Sequence, residues 1–266
     1  MRGPRITSVA TYERVLPVSA ERIWENVLDW EHLPGLHRDV FASVRRLDSG
    51  DWGWTAQVRG RGAGDPPEMT IQVVLERENL RYVTATTDGP GKGTEIWTTL
   101  DPKGEHETHI SVEFLVPDVT PERVTTLGDG YRRLYARLWD EDEAMMVRRA
   151  RLLAAPRAPR PERGARLELG SLGELRAKLP RVVELGGRPW RIDEVDRELV
   201  VFSAVCPHFL GPLEDASLEG AQIECPWHQY RFDVKSGRSC DGRGLRLPPA
   251  PRISIDSDHK VALVAD

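Results

Sequence analysis

Hydrophobic and polar positions alternate along the first part of the chain in a way that predicts short elements. Residues 11–18 read as a strand. Ser19 then offers a helix cap, and Glu21 falls in the first turn of a helix reaching about residue 28. Ile23, Val27 and Leu28 give that helix one apolar face. Pro34 and Gly35 predict that any helix ends near Leu33. Strand-like runs follow, separated by turn-forming segments at residues 48–50, 59–67, 78–79, 88–93 and 101–105. Strands in series with short connections predict an antiparallel meander. Thr120-Pro121-Glu122 opens a long helix, proline sitting well at the first helical position, and the helix runs to about residue 153 with room for a break at residues 128–130. To bury the apolar stripe of this helix the sheet must wrap it, and such a wrap leaves a cavity suited to an apolar ligand.

The last hundred residues have a different texture. Apolar runs at residues 182–185, 189–193, 199–204, 222–224, 231–234, 252–256 and 260–264 predict an all-β sandwich or small barrel. Between the two textures lies AAPRAPRPERG at residues 154–164, rich in proline and arginine, which predicts a stiff, extended linker. The expected organisation is therefore a domain at 1–153, a linker at 154–164 and a domain at 165–266. No internal repeat is visible.

Composition narrows the function classes. A chain of 266 residues suits one to two domains, and 39% apolar with 30% charged residues fits a globular protein. No apolar run approaches the roughly 20 residues a membrane helix needs, and no apolar stretch follows the charged N-terminus, so neither a membrane span nor a secretory signal is expected. A net charge of −5 argues against a nucleic-acid binder. Three cysteines without a signal sequence predict a reducing, cytoplasmic setting, in which thiols are free to hold a metal.

The metal signal lies at residues 206–228. Cys206-Pro207-His208 and Cys225-Pro226-Trp227-His228 each offer one thiolate and one imidazole on a short loop. A [2Fe–2S] cluster held by two cysteines on one iron and two histidines on the other needs that set. A Cys2His2 zinc site uses the same atoms, although structural zinc usually groups like ligands together. The prolines stiffen both loops and turn backbone amides toward the sulfurs.

These residues resemble the Rieske iron–sulfur proteins over residues 199–264, through CPHFLGPL at 206–213, CPWHQYRFDVKSGR at 225–238 and LPPAP at 247–251. The resemblance implies Cys206 and Cys225 on the inner iron and His208 and His228 on the outer one. Gln229 departs from the glycine usual after the second histidine. Gly211 and Trp227 stand where high-potential members carry a disulfide, which points to the ferredoxin and oxygenase branch. Cys240 lies outside the pattern.

The first domain resembles the START-like, polyketide-cyclase-like helix-grip domains, a fold that also forms the catalytic domain of Rieske non-haem iron oxygenases. Those enzymes bind one iron with two histidines and a carboxylate, the first segment reading D-x2-H-x4-H. Asp29, His32 and His37 have that spacing. On an unbroken helix, residues five apart diverge by about 140°, so the Pro34-Gly35 break would have to bring His37 beside His32. The carboxylate on the long helix would be Asp142, with Asp140 as the alternative, and Asp29 would be the residue linking cluster to iron across subunits. The resemblance thus implies a permuted Rieske oxygenase: a [2Fe–2S] cluster, one mononuclear Fe(II), an external reductase or ferredoxin as donor, a small apolar or aromatic substrate and a homotrimer. Two other readings remain open. One is a ferredoxin-like carrier or redox sensor fused to an iron-free ligand-binding domain; the other is a non-redox binding protein with a structural metal. Gly89 to Thr94 reads as a hairpin turn rather than a phosphate loop, and His106 and His109 fall on opposite strand faces.

Overall fold

The computed structural model describes residues 5–62, 64, 66–156 and 162–265. Of the expected linker at 154–164, residues 157–161 lie outside the described residues. The chain divides into two compact units at the Ala150–Arg151 junction.

The N-terminal unit is an α+β helix-grip fold. Strand β1 (Ile6–Leu16) leads into helix α1 (Ala20–Leu28), then a short helix α2 (Leu33–Leu36), six strands and a closing helix. The strands are β2 (Phe41–Gly50), β3 (Gly53–Gly60), β4 (Glu68–Glu76), β5 (Arg81–Asp88), β6 (Glu95–Gly104) and β7 (Glu107–Pro117). They form one antiparallel sheet in the order β1-β7-β6-β5-β4-β3-β2. Only β1 leaves its sequence neighbours, because the helices between β1 and β2 carry the chain from one edge of the sheet to the other. The closing helix α3 spans Pro121–Ala154.

Local chemistry explains these boundaries. Ser19 caps α1 by accepting from the Arg22 amide at 3.4 Å. Helix α1 stops at Asp29, whose ψ of 77° leaves the helical region. A single tight turn over Trp30–His32 follows, and Pro34 lies in the first turn of α2. The Pro-Gly pair therefore starts a new helical turn rather than ending one, since the first turn has no use for the missing amide proton. Helix α3 is continuous through the glycines at 128 and 130. At Gly128 a β-carbon would lie 2.4 Å from the Val9 carbonyl oxygen, so this glycine lets the helix close onto β1. The core joins Ile23 and Trp24 of α1, Trp54 and Val58 of β3, Ile110, Val112 and Phe114 of β7, and Trp139 and Met146 of α3. Arg149 of α3 grips Glu25 of α1 through two hydrogen bonds of 2.8 and 2.6 Å.

Among its described residues, the C-terminal unit is all-β apart from the end of α3 and one short helix. Its strands are β8 (Arg166–Ser171), β9 (Arg181–Leu185), β10 (Arg188–Val195), β11 (Glu198–Ser203), β12 (Leu218–Glu219), β13 (Gln222–Glu224), β14 (Arg231–Asp233), β15 (Arg252–Ile255) and β16 (Lys260–Val264). They form three small antiparallel sheets, β11-β10-β9, β12-β13-β14 and β15-β16-β8. Strand β8 and helix α4 (Leu172–Arg176) have no counterpart in the sequence expectations. A capping box between Ser171 and Glu174 starts α4. Leu169, Trp190, Ile192, Val261 and Leu263 form a core between two of the sheets. The loop after β11 and the loop between β13 and β14 carry the Cys and His pairs.

Candidate metal centres

The two Cys–His loops are tight and similar. In the first, the Cys206 amide donates to the Gly211 carbonyl at 2.9 Å and the Leu210 amide to the Cys206 carbonyl at 3.1 Å. In the second, the Cys225 amide donates to the Tyr230 carbonyl at 2.9 Å and the Gln229 amide to the Cys225 carbonyl at 2.8 Å. Each turn closes through a left-handed residue, Leu210 at φ 65° and Gln229 at φ 58°. That conformation is the reason glycine suits the position held by Gln229.

The loops bring the four donors together. Cys206 and Cys225 are buried and hydrogen-bonded to each other. The Cys225 thiol is held well below its ordinary value by that bond, against the desolvation that opposes it, with further help from His228 and from the amides of Trp227 and His228. Amides of His208 and Phe209 point at the Cys206 sulfur in the same way. The rings of His208 and His228 meet edge to face at 4.5 Å, with both Nδ1 atoms buried. A β-carbon on Gly211 would lie 2.6 Å from Cys225 Sγ and 3.2 Å from the Trp227 ring, so the sulfur needs a glycine there. Two adjacent thiols, two adjacent imidazoles and amides aimed at sulfur fit a [2Fe–2S] cluster with Cys2His2 ligation.

Around the loops stand two supports. Arg191, buried on β10, donates to the carbonyls of Leu213, Glu214 and Ala216 at 3.0, 3.2 and 2.6 Å and pairs with Asp193 at 2.7 Å. It holds the distal end of the first loop. The Tyr230 ring stacks on His208 at 4.2 Å, and the Arg243 guanidinium lies 4.0 Å above the other ring system of that stack, over Tyr230.

The N-terminal unit gathers a second set. One ligand atom from each of His32, His37 and Asp142 lies within 4.8 Å of the others, and all three residues are buried. Nε2 of His32 is 3.5 Å and Nε2 of His37 is 3.2 Å from Asp142 Oδ1. The rings of the two histidines are 5.1 Å apart and nearly perpendicular. The chain leaves helix at Asp29, His32 ends the tight turn that follows, and α2 carries the chain on to His37. His37 caps the C-terminus of α2, and its carbonyl accepts from the Val40 and Phe41 amides at 2.8 and 2.9 Å.

Both outward ring nitrogens face carboxylates. His32 Nδ1 is 3.7 Å from Asp29 Oδ2, and His37 Nδ1 is 2.6 Å from Glu141 Oε2. Burial opposes a charged His37, yet Asp142 and Glu141 outweigh it and raise its pKa above the ordinary value. Burial likewise opposes the Asp142 carboxylate, but His37, His32 and a hydrogen bond from Asn26 keep it below the usual range. Asp140 points away from this group and pairs with Arg14 at 2.6 Å on the surface. His109 lies 3.9 Å from Glu13 and His106 3.9 Å from Glu105, both outside the cluster. Two imidazoles and one carboxylate with ligand atoms this close together match the donor set of a mononuclear iron site.

Sequence reasoning did not single out Glu141, Asn26, Arg191, Tyr230 or Arg243. Asn26 lies three residues before Asp29 on the buried face of α1, a periodicity that marked only apolar positions. The others act through contacts no local pattern encodes.

Residues 166–249 match the family model described as the Rieske [2Fe-2S] domain. The C-terminal unit is thus a Rieske domain, and the cofactor such a domain implies is the [2Fe–2S] cluster its donor set fits. The same part of the chain is 38% identical over 71 residues to the ferredoxin component of a naphthalene 1,2-dioxygenase system from Pseudomonas aeruginosa, covering 27% of this chain and 64% of that protein. It is 39% identical over 67 residues to the ferredoxin component of a p-cumate 2,3-dioxygenase system from Pseudomonas putida, covering 25% of this chain and 52% of that protein. The chain therefore spans about half to two thirds of the length of these relatives. Among solved structures, the Zhui aromatase/cyclase from Streptomyces sp. R1128 superposes on 57% of this chain and 99% of its own, with a TM-score of 0.47 and 12% identity. Among the described residues, no helix is long and apolar enough to cross a membrane.

Proposed function

We propose that the chain is a Rieske-type oxygenase with its units in the order substrate domain, linker, Rieske domain, and that it oxidises a small apolar or aromatic molecule with O2. The observation that carries this reading is the buried meeting of His32, His37 and Asp142 inside the helix-grip unit. When bound, the cluster supplies single electrons and a mononuclear iron supplies open coordination positions for O2 chemistry. Cys206, Cys225, His208 and His228 would hold the cluster; His32, His37 and Asp142 would hold the iron. Asp29 Oδ2 lies 3.7 Å from the outer nitrogen of His32, near enough to favour a proton on that nitrogen. Both histidines are themselves buried, and the Phe41 ring lies 6.2 Å from that of His37. An external reductase or ferredoxin would load the cluster. In a homotrimer, Asp29 of one subunit would face a cluster histidine of its neighbour.

The test is the ratio of iron to acid-labile sulfide after anaerobic reconstitution with Fe(II). A ratio near 3:2 is expected from one cluster plus one iron. His32→Ala should then abolish substrate oxidation and leave the cluster spectrum unchanged. A ratio of 1:1 would replace this reading with a second one: a ferredoxin-like carrier or redox sensor fused to an iron-free ligand-binding unit. What favours that alternative is that the curated relatives named above are ferredoxin components, matched over the Rieske part alone.

A further inference from the structure

Asp142 does not stand alone on α3. The residue beside it, Glu141, reaches the other side of the same histidine. Its Oε2 lies 2.6 Å from His37 Nδ1, across 104 residues of sequence. Glu141 is itself held from behind, since Arg137 one turn earlier lies 3.7 Å from its Oε1. Arg137 also bonds Asp39 at 2.6 Å, in the segment just after His37. A line of charge thus runs Asp39–Arg137–Glu141–His37, from the surface to the buried site. It ties the segment to α3 at two points, His37 and Asp39.

Resting on the reading of His32, His37 and Asp142 as an iron site, we infer that Glu141 is the positioning residue that makes His37 a ligand. A histidine offers either ring nitrogen, and the nitrogen that carries the proton cannot bind metal. A carboxylate on Nδ1 fixes the proton there and leaves the Nε2 lone pair facing Asp142. It also stops the ring from rotating within its small buried space. Helix α3 therefore supplies both a ligand, Asp142, and the partner that aligns a second ligand, from adjacent residues. The Arg137–Asp39 pair is partly exposed and salt-screened, so it trims the orientation of Glu141 rather than deciding it.

The experiment measures iron bound per two acid-labile sulfides across graded free Fe(II) under anaerobic conditions, on the full-length protein with its cluster in place. Wild type, Glu141→Leu, Glu141→Gln, Arg137→Met and His37→Ala are compared, and the cluster absorbance reports that each variant is folded. Glu141→Leu should weaken uptake of the third iron by about 10- to 100-fold, the usual range for lost partners of metal-bound histidines. Glu141→Gln keeps an oxygen that accepts from Nδ1–H, so it should stay much closer to wild type, with Arg137→Met between wild type and Glu141→Leu. Should Glu141→Leu bind the third iron like wild type while His37→Ala does not, the role of Glu141 is overturned and the iron site stands. Should His37→Ala bind it like wild type, or wild type take no third iron, the iron site itself fails and this inference with it. Glu141→Gln falling as far as Glu141→Leu would overturn the hydrogen-bond account.

Discussion

Cys206, His208, Cys225 and His228 sit on two short loops within one stretch of chain, whereas His32, His37 and Asp142 come together from opposite ends of the N-terminal unit. The first set is held by bonds inside each loop. Amide-to-carbonyl contacts at Cys206, Leu210, Cys225 and Gln229 fix the turns, and the ligands follow from spacing. The second set depends on a helix bend after Asp29 and on the register of a 34-residue helix. A local site can be disrupted by a single atom in a loop. A dispersed site tolerates loop changes but is sensitive to any group that aligns two distant elements.

The largest effect expected from this difference is at Gly211. A β-carbon there would lie 2.6 Å from Cys225 Sγ, with the Trp227 ring at 3.2 Å behind it. Neither neighbour is a free end: the sulfur is buried and the ring is packed. Gly211→Ala should yield protein with most of its cluster absorbance lost and acid-labile sulfide reduced by about tenfold, since a ligand displaced by an ångström no longer matches cluster bond lengths. On the proposed reading, iron uptake by His32, His37 and Asp142 should remain. Parallel loss at both sites would break the picture of independent centres.

What was legible follows the same division. The Cys–His loops could be read from spacing alone because each turn makes its own bonds. Asp29, His32 and His37 could be read as a set, but the break expected between the histidines at Pro34-Gly35 is absent: that pair lies inside α2, and the chain leaves helix at Asp29, before both histidines. The choice of Asp142 over Asp140 is a matter of helix register, and the structure turns Asp142 inward while Arg14 holds Asp140 at the surface. The break imagined at residues 128–130 is a close approach of helix to β1. Strand β8 escaped notice because it borders the proline-rich segment and pairs with β16, nearly a hundred residues away. Partners such as Glu141 and Arg191 carry no local signature, because their meaning is a tertiary contact.

Arg191 sharpens the comparison by showing one distant support even in the local site. Its guanidinium holds three carbonyls of the segment after the first loop and pairs with Asp193. Arg191→Met would leave those carbonyls and a mostly buried carboxylate without their donor. Unfolding of the C-terminal unit in urea should become easier by about 3 kcal/mol, in the range for breaking one side of a buried ion pair. An unchanged midpoint would mean the first loop needs no support beyond its own bonds.

The smallest effect concerns the two left-handed residues that close the loops. Gln229 has φ 58° and Leu210 φ 65°. A left-handed conformation costs a non-glycine residue about 1–2 kcal/mol. Glycine removes that strain but has more freedom to lose on folding, which takes back about 0.4–1 kcal/mol. The Gln229 side chain is exposed, so Gln229→Gly should stabilise the protein by a net of about 0.5–1 kcal/mol, read as a higher urea midpoint with the cluster spectrum retained. Leu210 is half-buried, and the same change there removes apolar surface whose burial contributes about 25 cal/mol per Å2. Leu210→Gly should therefore gain nothing or lose stability. If both variants shift the midpoint equally upward, backbone strain dominates both loops; if Gln229→Gly lowers it, the glutamine side chain contributes a contact that outweighs the strain.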